Sequence, residues 1–135
     1  MSTEPSVKVE EQTSDVPNEK IWGSFKVKRA EGHQLELMGW ALGTGAEVEV
    51  IEIVASGTVV ATTKPSLPRA EVAEEHPNRK SAATCGFEVA MEAKGKGQST
   101  LELRAVLDDG TLAPIGQLRV LAPPRRWPSL FGHRA

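Results

Sequence analysis

The stretch LELRAVLDDG, residues 101–110, decides the fold class that this sequence predicts. Its apolar residues recur at every second position and alternate with charged ones: Leu101, Leu103, Ala105 and Leu107 against Glu102, Arg104 and Asp108. In an extended chain this spacing places the apolar side chains on one face and the charged side chains on the other. The Asp-Asp-Gly at its end is a turn signal. The stretch therefore predicts a β-strand with one buried face, followed by a turn.

The same pattern continues over most of the chain from Ile21 onward. Short runs of residues suited to strands are separated by turn signals at Gly43–Gly45, Ser56–Gly57 and Gly95–Gly97. Several short strands at such spacing are typical of a β-sandwich or barrel. Helices are the competing interpretation, but the density of glycine and β-branched residues disfavours them.

One run departs from simple alternation. In EVEVIEIV, residues 47–54, Val48 and Val50 are in phase, and Ile51 and Ile53 are in phase one residue later. A β-bulge near Val50 and Ile51 would bring both pairs onto the core face. We therefore predict a bulged strand here.

Composition divides the chain into three parts. Residues 1–19 are acidic and almost free of large apolar side chains, so they predict a disordered tail. Residues 122–135 contain three prolines and three arginines without an acid, which predicts a Pro/Arg-rich linker or tail. Residues 20–121 remain as a single β-sandwich domain.

Several function classes find no support in the sequence. The net charge of −2 points to no nucleic-acid partner, and the three histidines and the single Cys85 form no zinc-ligand pattern. No nucleophile elbow or phosphate-binding glycine loop precedes a helix. The N-terminus lacks the features of a signal peptide, and no apolar run is long enough to span a bilayer. We expect a cytoplasmic protein that is not an enzyme and has no metal or cofactor.

Trp40 has two alternative environments. Alternation along its strand places it with Glu36 and Met38 on the polar face. If Gly39 marks a bulge, Trp40 turns into the sandwich core. If there is no bulge, Trp40 is an exposed indole, and such a plane can stack on a sugar ring or hold a partner.

The segment LPRAEVAEEHPN, residues 67–78, interrupts the strand pattern with two prolines around good helix formers. Arg69 at its head either pairs with backbone carbonyls and carboxylates such as Glu71, or binds a ligand. The acidic residues and His76 could be imagined as an acid/base or metal group. A solvated acidic face of a short helix is the interpretation that we favour, because the cluster lacks the supporting partners of such sites.

Four stretches together resemble a known family: GWAL at 39–42, LPRAEVAEEHP at 67–77, CGFEVAME at 85–92 and LELRAVLDDG at 101–110. Their order and spacing are similar to those of an immunoglobulin-like β-sandwich module appended to many bacterial glycosyltransferases and related surface-polysaccharide enzymes. In that family the second stretch usually contains Arg-Pro-Asp-Val-Ala, whereas here Ala70 replaces the proline and Glu71 the aspartate.

The resemblance implies an all-β, immunoglobulin-like antiparallel sandwich with one short helical crossover around residues 69–76. Val72 would lie over the core edge, with Arg69, Glu74 and Glu75 facing outward. Together with the period-two pattern, this predicts a core that contains Leu35, Leu37, Val48, Ile53, Phe87, Val89, Leu101, Leu103 and Leu118.

The resemblance also implies a non-catalytic accessory module that binds glycan or positions a catalytic neighbour, with a glycan or a glycosyltransferase domain as its partner. Our candidate ligand-binding residues are Trp40, Arg69 and Glu74. The alternative is a structural oligomerisation or protein–protein interaction domain, in which strand edges or the Trp40 face pair with a second copy.

Overall fold

The computed structural model describes residues 6–93 and 97–123, which form eight β-strands, one α-helix and one 3₁₀-helix. The strands are β1 (Lys8–Ser14), β2 (Ile21–Glu31), β3 (Gln34–Gly43), β4 (Val48–Ala55), β5 (Thr58–Thr63), β6 (Gly86–Glu92), β7 (Gly97–Leu107) and β8 (Leu112–Ala122). The α-helix α1 (Ala70–Glu75) and the 3₁₀-helix (Lys80–Thr84) lie between β5 and β6. Neither helix has the length and hydrophobicity that a membrane span needs within these described ranges.

The strands form two antiparallel sheets. The first has the order β1-β8-β7-β4-β5 and the second has the order β2-β3-β6. Without β1, the first sheet (β8-β7-β4-β5) has the strand order G-F-C-C′ of an immunoglobulin-like sandwich, and the second sheet (β2-β3-β6) has the strand order A-B-E. The segment between β5 (strand C′) and β6 (strand E) contains the two helices. The predicted fold class, a sandwich with one short helical crossover, is confirmed.

The core lies between the two sheets, where each strand contributes its alternate apolar residues. Eight of the nine predicted core residues are buried: Leu35, Leu37, Ile53, Phe87, Val89, Leu101, Leu103 and Leu118. The ninth, Val48, is partly buried and packs against the same cluster. Alternation therefore identified the core face of the strands correctly.

The β-bulge in β4 exists, but it lies slightly earlier than predicted. The register of β4 against β7 shifts between Val48 and Val50, which leaves the exposed Glu49 as the extra residue. This shift puts Val48 in phase with Ile51 and Ile53. Val50 is half-buried and lies outside the core cluster, so the prediction that it joins the core face is wrong. The charged side chain takes the extra position because it can remain in water there.

The N-terminal region differs from the disordered tail predicted for residues 1–19. Lys8–Ser14 forms the edge strand β1, which pairs with β8 from Lys8 opposite Leu121 to Ser14 opposite Gly116. Val7 is 3% exposed and belongs to the core cluster, so even a polar segment buries one apolar anchor. The backbone hydrogen bonds between β1 and β8 stabilise this segment further. The sandwich therefore begins within the predicted tail and not at residue 20.

Side chains also tie β1 to its neighbours. The Gln12 amide donates a hydrogen bond of 2.7 Å to the Phe25 carbonyl of β2. Glu11 and Arg119 form an ion pair of 2.9 Å across β1 and β8. Charged residues on an edge strand are a common protection against pairing with other chains. At the other end, β8 stops at Ala122, and residues 124–135 of the predicted linker lie outside the described residues.

Candidate functional site

Residues 64–85, which we call the crossover, connect β5 of the first sheet to β6 of the second. Hydrogen bonds hold the crossover against the start of β6. The Leu67 amide donates to the Gly86 carbonyl at 2.9 Å, and the Gly86 amide donates back to Leu67 at 3.0 Å. The Arg69 amide donates to the Ala83 carbonyl at 2.9 Å. Arg69 then begins α1 as its N-cap residue.

The crossover covers the outer face of β2 and β3, which is the face turned away from the core. A second apolar cluster forms there, separate from the core between the sheets. We call it the crossover cluster; its members are Leu42, Val72, Ala82 and Cys85, with Trp22, Trp40 and Ala73 partly buried against them. Val72 is 1% exposed, so α1 does bury this side chain, but outside the sandwich core and not over the core edge as predicted. A six-residue helix cannot be stable alone, and this packing keeps it in place.

Trp40 occupies neither of its two predicted environments. Gly39 pairs with Phe25 and with Phe87 in continuous register, so no bulge turns Trp40 inward. A side chain at Gly39 would collide with the Ser24 carbonyl. Only glycine fits at this position because β2 approaches β3 so closely. Trp40 stays on the outer face, where the crossover cluster half-buries it. The indole is therefore only partly accessible.

The Arg69 side chain packs against Gly86, the residue that faces Trp40 across β3 and β6. Gly86 on β6 is directly opposite Trp40 on β3, and residues directly opposite each other in an antiparallel pair share a face, with their Cβ positions about 5 Å apart. A Cβ at Gly86 would lie 3.1 Å from Cγ of Arg69. The aliphatic part of Arg69 thus fills the space that the missing side chain leaves. The two predicted site residues Trp40 and Arg69 are thus linked through Gly86.

The charged end of Arg69 pairs with a neighbouring carboxylate. Its Nη1 donates a hydrogen bond of 2.9 Å to Oε2 of Glu71. The Arg69 side chain is 26% exposed and that of Glu71 is 66% exposed. This matches the structural alternative predicted for Arg69, and an exposed pair of this kind is worth about 1 kcal/mol or less. Both groups can therefore be recruited by a ligand at small cost.

Glu74 lies away from this site. It is exposed on α1, and it follows Val72 by two residues, which is about 200° around a helix. Because Val72 points into the crossover cluster, Glu74 points to the opposite side. It forms no hydrogen bond or ion pair with any described residue. The structure therefore does not bring this third candidate residue to Trp40 and Arg69.

Trp22 and His76 belong to the site although the candidate set did not include them. Their rings stack with centroids 4.3 Å apart and an angle of 28° between the planes. Trp22 lies opposite Leu42 on the outer face of β2 and β3. The sequence could have shown that Trp22 lies on the outer face. In β2 the apolar residues Ile21 and Phe25 share the core face, and Trp22 is out of phase with both of them. We refer to Trp22, Trp40, His76 and Arg69 as the aromatic patch.

A polar cluster on the other side of the crossover anchors it to the loop before β4. Nη2 of Arg79 donates to the Gly45 carbonyl at 3.1 Å and to Oε2 of Glu47 at 3.3 Å. The Ser81 hydroxyl donates to the other oxygen of the same carboxylate. A cavity of about 90 Å³ adjoins this cluster. Nη2 of Arg79 is paired with Glu47, whereas the buried Nε of Arg79 has no hydrogen-bond partner among the described residues. Because these contacts tie the crossover to the loop before β4, we assign the cluster a structural role.

Cys85 is not a reactive thiol in this environment. It is 1% exposed, and its Sγ donates to the Ala82 carbonyl at 3.2 Å. Burial raises the pKa of the Cys85 thiol from 9.0 to about 11, so it stays protonated at neutral pH. In the described part of the chain, no group of three or more His, Cys, Asp or Glu residues could hold a metal ion.

No protein-family model, curated protein or solved structure matches the chain.

Proposed function

We propose that this domain is a non-catalytic accessory module that binds glycan at the aromatic patch and so positions a catalytic neighbour in bacterial surface-polysaccharide assembly. The observation that carries this proposal is the packing of Arg69 against Gly86, the residue opposite Trp40, on the same outer face as the stacked Trp22 and His76. The glycosyltransferase setting, and with it a cytoplasmic location, rests on the resemblance of four sequence stretches.

The chemistry of the patch suits a sugar. Sugar rings present weakly apolar faces that pack on indoles, and hydroxyl groups that need donors and acceptors nearby. Trp22 and Trp40 supply half-buried indoles. The Arg69 guanidinium supplies donors, and the exposed Glu71 carboxylate beside it supplies acceptors. A small surface of this kind predicts weak binding, with dissociation constants of about 1 mM, which correspond to roughly 4 kcal/mol of binding free energy.

Titration followed by NMR tests the proposal. The probes are soluble oligosaccharides that contain hexose, N-acetylhexosamine or uronic acid units, added to the full chain at millimolar concentration. We expect shifts in the indole signals of Trp22 and Trp40 and in the amide of Arg69. Arg69→Gln should weaken these shifts, whereas Glu74→Gln on the far side of α1 should leave them unchanged. Shifts confined to other surfaces, or none with any probe, would contradict the proposal.

A structural oligomerisation domain is the second candidate, and β5 favours it. This strand is at the edge of its sheet, carries no charged residue, and exposes Val59 by 40% and Val60 by 45%. Uncharged apolar edge strands are surfaces on which other chains pair. A β-bulge at Val60 interrupts the edge, however, and this places the candidate second. Sedimentation equilibrium separates the candidates: a dimer that Val60→Lys dissociates would favour oligomerisation.

A further inference from the structure

The outer face of β2, β3 and β6 continues beyond the aromatic patch as rows of side chains that cross the three strands. Ser24 is opposite Trp40, and Lys26 is opposite Met38 in the next row. Met38 in turn is opposite Glu88 on β6. Opposite residues share a face, and successive rows on that face are two residues, or about 7 Å, apart along the strand. The row of Lys26, Met38 and Glu88 therefore borders the aromatic patch directly.

Lys26 carries an unpaired positive charge in this row. The acid of the row, Glu88, is paired with Lys28, whose Nζ lies 3.1 Å from Oε1 of the Glu88 carboxylate. Lys26 itself is exposed and forms no hydrogen bond or ion pair with any described residue. It is a diagonal neighbour of Trp40, and diagonal Cβ positions are about 7 Å apart, which is within reach of a long side chain. A free ammonium group is therefore available at the edge of the indole.

The groups around Lys26 suit the rest of a sugar unit. Met38 is half-buried and apolar, so it offers a surface on which a sugar ring can pack. The exposed Ser24 hydroxyl can both donate and accept a hydrogen bond. The other cation of this surface, Arg69, is already paired with a carboxylate of its own segment at 2.9 Å. Lys26 is thus the cation that an anionic ligand can reach without displacing an ion pair.

We propose that the glycan site extends from the aromatic patch to Lys26, and that the glycan it prefers is acidic, with uronic acid units. A sugar ring packs on Trp40 while a carboxylate of the same chain forms an ion pair with the Lys26 ammonium. This inference rests on the proposed function, because it adds a charged subsite to the same surface. The indoles contribute affinity for neutral and acidic glycans alike, and Lys26 determines the preference between them.

Two forms of one oligosaccharide test this preference in the full chain. The probes are trigalacturonate and its methyl ester, which has the same sugar rings without the charges, and binding is followed by NMR. We expect trigalacturonate to bind about 2- to 5-fold more tightly than the ester, which is the effect of one exposed ion pair. The Lys26 amide should shift with the acid and not with the ester. Salt at about 1 M should reduce the difference in affinity, because it screens exposed charges.

Two matched variants locate the charge that acts. Lys26→Gln should abolish the preference for the acid, whereas Lys8→Gln, which removes the same charge from the edge strand β1 of the other sheet, should leave it unchanged. An equal loss in both variants would overturn the inference, because the net charge of the domain would then be the cause. Equal affinity for acid and ester, with shifts still at Trp22 and Trp40, would overturn the inference and leave the proposed function in place. No shifts with either probe would contradict the proposed function, and this inference with it.

Discussion

Val72→Ala is the substitution that separates the crossover cluster from the sandwich core. Val72 is the buried residue of α1, 1% exposed against Leu42, Ala82 and Cys85. The change removes two methyl groups, worth about 0.8 kcal/mol each in lost burial. The cavity left behind adds roughly another 1 kcal/mol if the cluster does not collapse. We expect a total loss of about 2–3 kcal/mol.

Two measurements are needed, because α1 can loosen without global unfolding. Urea unfolding reports the global free energy, and native-state hydrogen exchange at the amides of Ala73 and His76 reports the opening of α1. We expect faster exchange at these amides and greater quenching of Trp22 and Trp40 fluorescence by acrylamide. Glu74→Ala is the matched control on the exposed side of the same helix, and should change stability by less than about 0.5 kcal/mol. If Val72→Ala changed neither quantity more than Glu74→Ala does, the crossover cluster would have no energetic role.

Three further predictions concern the sandwich. Phe87→Ala should destabilise the domain by about 3–5 kcal/mol in urea unfolding, because Phe87 is 1% exposed in the core; a loss below about 1 kcal/mol would contradict its placement. Deleting residues 1–14 should lower Tm by about 5–10 °C, since it removes β1 and the buried Val7, and an unchanged Tm would show that β1 does not contribute. Because folding raises the pKa of Cys85 from 9.0 to about 11, its contribution is fully present below pH 9 and is lost as the pH rises to about 11. The expected loss is about 2–3 kcal/mol, and Cys85→Ala should abolish this pH dependence in denaturant titrations.

The strands and their core face follow from local sequence. Side chains alternate with a period of two in any extended chain, so Leu101 and Leu103 share a face whatever the strand pairs with. The position of the helical crossover was also visible locally, since two prolines bound a short run of helix formers between strands, although the helix itself depends on packing against β2 and β3. For the strands and their core face, the residues in one stretch contain the information required.

Tertiary contacts decided the features that the sequence analysis missed. Lys8–Ser14 is a strand only because β8 offers it an unpaired edge and a place to bury Val7. Alternation placed Trp40 on the outer face, but its half-burial comes from the crossover cluster, whose Val72, Ala82 and Cys85 lie more than thirty positions away in the sequence. Arg69 packs on the same face because Gly86, opposite Trp40 on β6, leaves room for the arginine side chain. Each of these results depends on which distant segment lies across from a residue, and the periodicity of a single stretch carries no information about that partner.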